Sequence, residues 1–492
     1  MKTLNKYIAG VSVVGLLLTA VSCSKDFYTN KNNNPNAPSN LLPNVLLSPI
    51  EVSLGYAQGG DMSRFASMFV QQTVGVSRQS AAYYQYIFTN QDPESLWDNM
   101  YAADMENDYN LMQICANSGG KYNAYKGITE ALQAYNLQVM VDCWGNMPYS
   151  QAFQGASNLK PTYDKDATLY SNAVTLCYNA IADLNNSAND VLSPGSDDLI
   201  YGGSTASWIA FSHAVLARLY IHQSQTGSGN VAMADSALAH ANAAITAGFT
   251  NAQVNFGVGA TNNAPNYQFW TQRGDISYTF ADGSYSSDGF FFGLLATTND
   301  PRKFYLIDSA DEINFNYLNA YYQEANSPVD LICADEVDFI AAEAVLRAGG
   351  SIATAQTAYQ AGITADMNRL SSNPAVYTSN PNGITGPITG AQITAYLAAH
   401  GNLSPVLDSA LAQVANQEYI ALYMNPEAWT CWRRSTKIPG FANGSPALLP
   451  VPGPFASNGI PRRFLYPQSE LNLNGANTPN ATQWSPRNFW DN

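Results

Sequence analysis

The sequence predicts a mainly α-helical fold: tetratricopeptide-like helix pairs forming a scaffold that carries a loop-rich, irregular lobe. Three observations lead there. Apolar residues recur at three- and four-residue steps through several long runs. Small residues (Ala341-Ala342-Glu343-Ala344, Ala241-Asn242-Ala243-Ala244) stand where such runs must approach closely, and the stretches between them are rich in Asn, Gly, Tyr and Phe. No strict tetratricopeptide motif repeats, so this packing is inferred from the pairing of helices and not from a repeat signature.

The first element is an export signal. Lys2 and Lys6 lead into an apolar run from Ile8 to Ala20, too short to cross a bilayer core, which ends in small residues and Cys23. Residues 1–22 read as a signal peptide cleaved directly before Cys23, which predicts that the Cys23 thiol carries the diacylglycerol of a bacterial lipoprotein. Ala20 occupies the place where Leu is usual. Acyl chains, at about 0.8 kcal/mol per buried methylene, hold such a chain on a membrane. Residues 23–40, polar and rich in Asn and Pro, read as the lipidated N-terminus and tether, and 41–492 as one body. No later apolar run approaches spanning length.

Helical periodicity then dominates. Tyr122, Tyr125, Ile128, Leu132 and Tyr135 share one face; so do Leu169, Ala173, Leu176, Ala180 and Leu184, and then Trp208, Phe211, Val215 and Leu219. A run from Val231 to Ala247 stops at Gly248, a C-cap residue. The pattern returns over Glu336–Ala348, Ile352–Leu370 and Asp408–Tyr423. Residues 251–330 and 373–390 read as loop-rich inserts, and 436–492 as an irregular C-terminal segment, since functional loops sit on rigid frames.

Composition narrows the chemistry. Asp and Glu outnumber Lys and Arg by 37 to 22, giving −15, with only 12% of residues charged. An acidic chain without a basic stripe is a poor nucleic-acid binder. Thirty tyrosines and abundant Asn suit uncharged, hydroxyl-rich ligands, although most of those tyrosines must pack helices. Cys115, Cys143, Cys177, Cys333 and Cys431 show no CxxC and no knuckle spacing; they read as buried free thiols with room for one disulfide. His213 and His222 fall on opposite faces of one helix and cannot share a metal. No HExxH, no GxSxG elbow and no complete phosphate loop is present. Carboxylate pairs such as Asp335 with Glu336, or Asp104 with Glu106, are what an acidic chain makes inevitable, so no catalytic residue, metal or cofactor is assigned. Asp282 and Asp288 lack EF-hand spacing and read as a solvated turn.

Three segments identify the family. They are Asp142-Cys143-Trp144-Gly145-Asn146-Met147-Pro148-Tyr149-Ser150-Gln151-Ala152; Glu418-Tyr419-Ile420-Ala421-Leu422-Tyr423 with Glu427-Ala428-Trp429 and Trp432-Arg433-Arg434; and Ile460-Pro461-Arg462-Arg463-Phe464-Leu465-Tyr466-Pro467. With Cys23-Ser24-Lys25-Asp26-Phe27 they resemble the SusD/RagB outer-membrane lipoproteins of Bacteroidetes, particularly the branch with the D-x-x-G-x-x-P-Y-S-x-A signature. The resemblance implies helical tetratricopeptide-like pairs under an irregular ligand-binding lobe. It also implies a cell-surface location, an oligosaccharide ligand (in some members a peptide), and delivery to a SusC-like TonB-dependent transporter. It implies a binding protein; a surface glycoside hydrolase is the remote alternative. Ser24-Lys25-Asp26 resembles a surface-export signal.

A neutral-glycan site needs aromatic faces, amides and an arginine. Two stretches offer them: Arg78, Tyr83, Tyr84, Tyr86, Trp97 and Asn99; and Tyr267, Trp270, Tyr278, Phe280 and Tyr285. The candidate ligand residues are Arg78, Tyr83, Tyr84, Trp97, Asn99, Trp270, Tyr278 and Tyr285. Trp97 and Tyr101 stand four apart in a predicted helix, which suits core as well as ligand. Trp270 has a loop-like setting. In an extended segment, one of Tyr83 and Tyr84 faces outward. Arg433, Arg434, Arg462 and Arg463 are expected to lock the C-terminal loops by pairing with Glu427 and Glu470, with Trp429 and Trp432 in the core.

Overall fold

The computed structural model describes residues 41–492 except 76, 226–229, 273–275, 278–289, 308–320, 323, 374–383 and 452. The signal peptide, Cys23, the tether, Tyr278, Tyr285, Asp282 and Asp288 therefore lie outside the described residues. The chain folds as helices joined by loops, with two short two-stranded ladders among the described residues.

In chain order the elements that matter are α1 (Pro43–Ala57), α2 (Ser63–Phe69), β1 (Val74–Gly75), α3 (Arg78–Tyr84), α4 (Glu106–Ala116), α5 (Asn123–Trp144), α6 (Asp166–Asn185), α7 (Thr205–Gln223) and α8 (Asn230–Thr246). Then come β2 (Ala252–Val254), α9 (Pro265–Gln272), β3 (Ile276–Ser277), β4 (Val329–Ile332), α10 (Ala334–Arg347), α11 (Ile352–Leu370), α12 (Leu407–Ala421) and α13 (Glu427–Ser435). Consecutive helices pair: α5 with α6, α7 with α8, α10 with α11. Neighbouring pairs then stack, α6 on α7 and α8 on α10. Each apolar face read from the sequence points into these contacts; Leu169, Ala173, Ala180 and Leu184 of α6 are all buried.

The pairs pack closely because small residues stand at the crossings. A Cβ on Gly127 of α5 would lie 2.6 Å from Leu184 Cγ and 2.9 Å from the Ala180 carbonyl oxygen of α6. Helix α5 is buried almost throughout, polar side chains included, so it is the central strut and not an amphipathic surface helix. Its C-terminal carbonyls would be orphaned there. The tail meets them: Phe464 N–H donates to Cys143 O at 2.7 Å. Arg433 Nη1 donates to Asp142 O at 2.9 Å, and Asn488 Nδ2 to Val141 O at 3.0 Å.

Buried arginines tie the remaining elements together. Arg218 of α7 grips both oxygens of Glu336 on α10, at 2.6 Å each. Arg369 of α11 reaches Asp330, Asp335 and Asp366, and Arg302 reaches Asp300 and Asp366. Arg434 of α13 joins Glu343 of α10 to Glu418 of α12. This corrects the expected locking scheme in part. Glu427 does reach Arg434, at 3.4 Å, and Arg462 pairs with Asp491. Glu470, however, accepts the Tyr163 hydroxyl at 2.7 Å. Arg433 and Arg463 donate to backbone carbonyls. Trp429 and Trp432 are core residues, and all five described cysteines are buried free thiols.

Two local expectations change. Residues 78–84 are helical and not extended, and Trp270 stands on helix α9 and not on a loop. Pro265 opens α9 at a first-turn position, where its fixed φ favours a helix and its missing N–H costs nothing. The 251–330 insert also carries the helix Phe290–Thr297, and its two ends are zipped by β2 against β4, Ala252 opposite Ile332 and Val254 opposite Val329.

Candidate functional site

The two aromatic stretches, far apart in sequence, meet in space. Strand β1 pairs antiparallel with β3, Val74 opposite Ser277 and Gly75 opposite Ile276. That ladder sets the insert beside the start of α3. The backbone is tight here: a Cβ on Gly75 would lie 1.8 Å from the Ser80 carbonyl oxygen, so only glycine fits.

Between these segments lies a cavity of about 700 Å³ lined by Asp61, Arg64 and Phe65, by Gln79, Ser80 and Tyr83 of α3, by Thr89, Gln91, Asp92 and Ser95, and by Phe269 of α9. Its aromatic wall is fixed by edge-to-face packing of Tyr83 on Phe65, ring centres 5.0 Å apart, and by Phe88 behind. Tyr83 Oη donates to Asp92 Oδ1 at 2.7 Å, while Thr89 N and Oγ1 donate to Asp92 Oδ2 at 2.6 and 2.7 Å. Asp92 thereby organises the loop and orients the tyrosine. Opposite, Arg64 pairs with Asp61 and lies over the Phe269 ring at 4.0 Å. The result is an amide- and hydroxyl-lined hollow with aromatic faces, in which Arg64 is paired with Asp61 and the Asp92 carboxylate is engaged by Tyr83 and Thr89, which suits a polyhydroxyl ligand.

The candidate residues fall as follows. Tyr83 lines the cavity. Tyr84, one position on, turns by a helical step and is buried. Tyr86 is buried too. Arg78 is exposed at the first turn of α3 with φ +52°, and Asn99 is exposed on a π-helical turn spanning Asn99–Met105. Trp97 is 4% exposed and packs on Tyr101, Trp144 and Tyr466. Its remaining edge borders a second hollow of about 490 Å³, shared with Tyr101, Phe153 and Glu470, and not the Tyr83 cavity. Trp270 directly follows the cavity-lining Phe269 on α9. Sequence reasoning missed Asp61, Arg64, Asp92 and Phe269; the Asp61/Arg64 spacing of an ion pair along a helix was the available signal.

One trio, Asp142, His222 and Glu427, brings metal-ligand atoms within 4.8 Å of one another. Its geometry opposes a shared ion. Asp142 faces His222 Nδ1 at 3.4 Å and Glu427 faces Nε2 at 2.8 Å, so the carboxylates flank opposite edges of the ring. Burial would lower the imidazole's pKa, but the charges of Glu427 and Asp142 overcome it and raise it. The trio is an imidazole clamped between two carboxylates.

A family model described as "Starch-binding associating with outer membrane" (SusD-like) matches residues 35–467. Among solved structures, a SusD/RagB family protein from Bacteroides thetaiotaomicron superposes with a TM-score of 0.71 at 19% identity, covering 92% of this chain and 99% of that one. A chitin-binding protein gives 0.70 at 19% identity, covering 92% and 100%. A chitin-binding SusD homologue from Flavobacterium johnsoniae gives 0.65 at 19%, covering 91% and 97%. These likenesses show the fold. No curated protein matches the sequence.

Proposed function

Because the chain belongs to the SusD-like family of starch-binding proteins that associate with the outer membrane, we propose that it is a cell-surface glycan-binding lipoprotein. It captures an oligosaccharide and delivers it to a SusC-like TonB-dependent transporter. The observation that supports this reading is the polar, aromatic-walled cavity around Tyr83 of α3, to which Phe269 of α9 contributes. A peptide ligand would favour cavity charges open to it; here Asp61 and Arg64 neutralise each other and Asp92 is engaged by Tyr83 and Thr89. The chitin-binding relatives of like fold point the same way.

The test is direct. Losing a stacked aromatic face is worth about 1–1.5 kcal/mol, or roughly tenfold in affinity. Tyr83→Ala and Phe269→Ala should each weaken malto- or chito-oligosaccharide binding by about that factor in calorimetric titration, with the glycan length unchanged after incubation. Wild-type affinity in both variants would remove this cavity as the site. Cys23→Ala should move the folded, ligand-competent protein from membrane to soluble fraction; retention on the membrane would sink the lipid anchor.

A further inference from the structure

The C-terminal segment builds a further cavity, lined by two arginines. It measures about 470 Å³ and is lined by Trp432, Arg462, Trp484 and Arg487 together with residues of the 448–451 and 458–460 segments. Trp484 is fixed by donation of Nε1–H to Gly459 O at 2.9 Å and by Phe455, ring centres 5.6 Å apart, so it offers a steady, half-exposed face. Arg462 lies over the Trp432 ring at 5.2 Å. Its Nη1 donates to Asp491 Oδ1 at 3.0 Å and to Thr436 Oγ1 at 3.4 Å. Arg487 is exposed and forms no ion pair among the described residues.

The charge here is out of balance. Asp491 is one carboxylate under the charges of Arg462, Arg487 and Lys437 and of the buried Arg433, which also acts on Asp142, in a chain whose net charge is −15. Burial, together with Arg487 and Arg433, holds Arg462 down at about 10 despite the Asp491 contact. Lys437 is likewise lowered, by burial and by Arg487 and Arg462. A structural lock would need one cation for one carboxylate. Arg462 and Arg487, which line the hollow beside a flat aromatic face, make an arrangement that receives an anion carried on a sugar ring: guanidinium forks match a carboxylate, and an aromatic face matches the C–H face of a sugar.

We propose that this cavity is a second, separate glycan subsite that takes a uronic-acid residue, its carboxylate between Arg462 and Arg487 and its ring on Trp484. The inference rests on the glycan-binding reading but concerns a different cavity, so the two fail separately. The net charge of −15 disfavours a polyanion on the molecule as a whole, which makes the subsite a selector for position along a mixed chain.

The experiment titrates the full mature chain with galacturonate and glucuronate, their oligomers, the methyl-esterified galacturonate oligomer, and neutral malto- and chito-oligosaccharides. At least one free uronate should bind, and the methyl ester should bind at least tenfold more weakly than the free oligomer. Arg487→Ala, at an exposed position with no ion pair among the described residues, should weaken uronate binding at least fivefold and leave neutral-glycan binding unchanged; Tyr83→Ala should do the reverse. Added salt should weaken the uronate more than the neutral chain. No uronate binding, equal affinity for acid and ester, an unchanged Arg487→Ala, or tighter capture of a peptide C-terminus or inorganic phosphate than of any uronate would each overturn the proposal. Absence of neutral-glycan binding in wild type alongside intact uronate binding would instead count against the Tyr83 cavity.

Discussion

His222 shows how much one side chain holds here. It lies fully buried on α7, hydrogen-bonded to Glu427 of α13 and, through its other edge, to Tyr170 of α6, with Asp142 of α5 facing that same edge at 3.4 Å. Asp142 is thus a structural acceptor, bonded by Tyr170 and by Trp490 Nε1 at 2.9 Å. Burial would raise the Asp142 pKa, but the His222 and Arg433 charges hold it below the usual carboxylate range. The signs follow. With its pKa raised from 6.5, His222 contributes stability that is fully present below 6.5 and is lost as pH rises through the raised value. Asp142 contributes above 3.8 and is lost as pH falls through its depressed value. Removing one member of a buried charge cluster costs about 3–5 kcal/mol. His222→Gln should therefore lose roughly that much at pH 6, and the gap from wild type should narrow by pH 10. Denaturant unfolding at the two pH values checks it; an equal gap at both would mean the imidazole is neutral. Sequence showed the motif and the separation of His213 from His222, but not the clamp, whose members come from four helices.

At the scale of elements, long helices were legible because each buries one face and so repeats its apolar residues at helical spacing; Ile352–Leu370 is realised at the same residues. Short elements were not. A seven-residue helix such as Arg78–Tyr84, or a two-residue ladder such as β1 with β3, is too brief to show a period and is set by what packs against it. The close helix pairs carry their own prediction. At Gly127 an added side chain meets both Leu184 and the Ala180 backbone, and the backbone cannot step aside as a rotamer can. Gly127→Val should destabilise the protein by about 1–3 kcal/mol, the usual cost of overfilling a packed site. Combined with Leu184→Ala, it should show favourable coupling, because part of the clash is with Leu184. Purely additive losses in thermal melts would mean that α5 and α6 do not press together there.

Across the whole molecule, sparse charge and deep burial combine into a pH profile. The candidate cavity was half legible. Tyr83 stood out as an aromatic in a polar stretch, whereas Arg64 and Phe269 join it only because distant segments pair. The buried acids were not legible at all, since Asp104 and Glu130 look like ordinary helix-surface carboxylates in an acidic chain. In the fold, burial pushes Asp104 up to about 8, and burial pushes Glu130 to about 8 against the opposing charge of Lys126. Each therefore keeps its proton in the folded state where the unfolded chain has released it. Their contribution is full below the ordinary values of 3.8 and 4.5, declines as pH rises above them, and is gone as pH passes about 8. His222 adds a loss of the same sign above 6.5. Stability should accordingly be higher at pH 6 than at pH 9, although net charge alone, which is smaller in magnitude near pH 6, changes it too. Asp104→Asn separates the two causes. It alters the net charge at alkaline pH by a single unit in a chain carrying 15 excess negative charges, yet removes one buried ionisation outright. Urea midpoints measured from pH 5 to pH 9 should then fall less steeply for Asp104→Asn than for wild type, with the variant the more stable of the two at pH 9. Parallel profiles would place the pH dependence in surface repulsion and not in buried carboxyls.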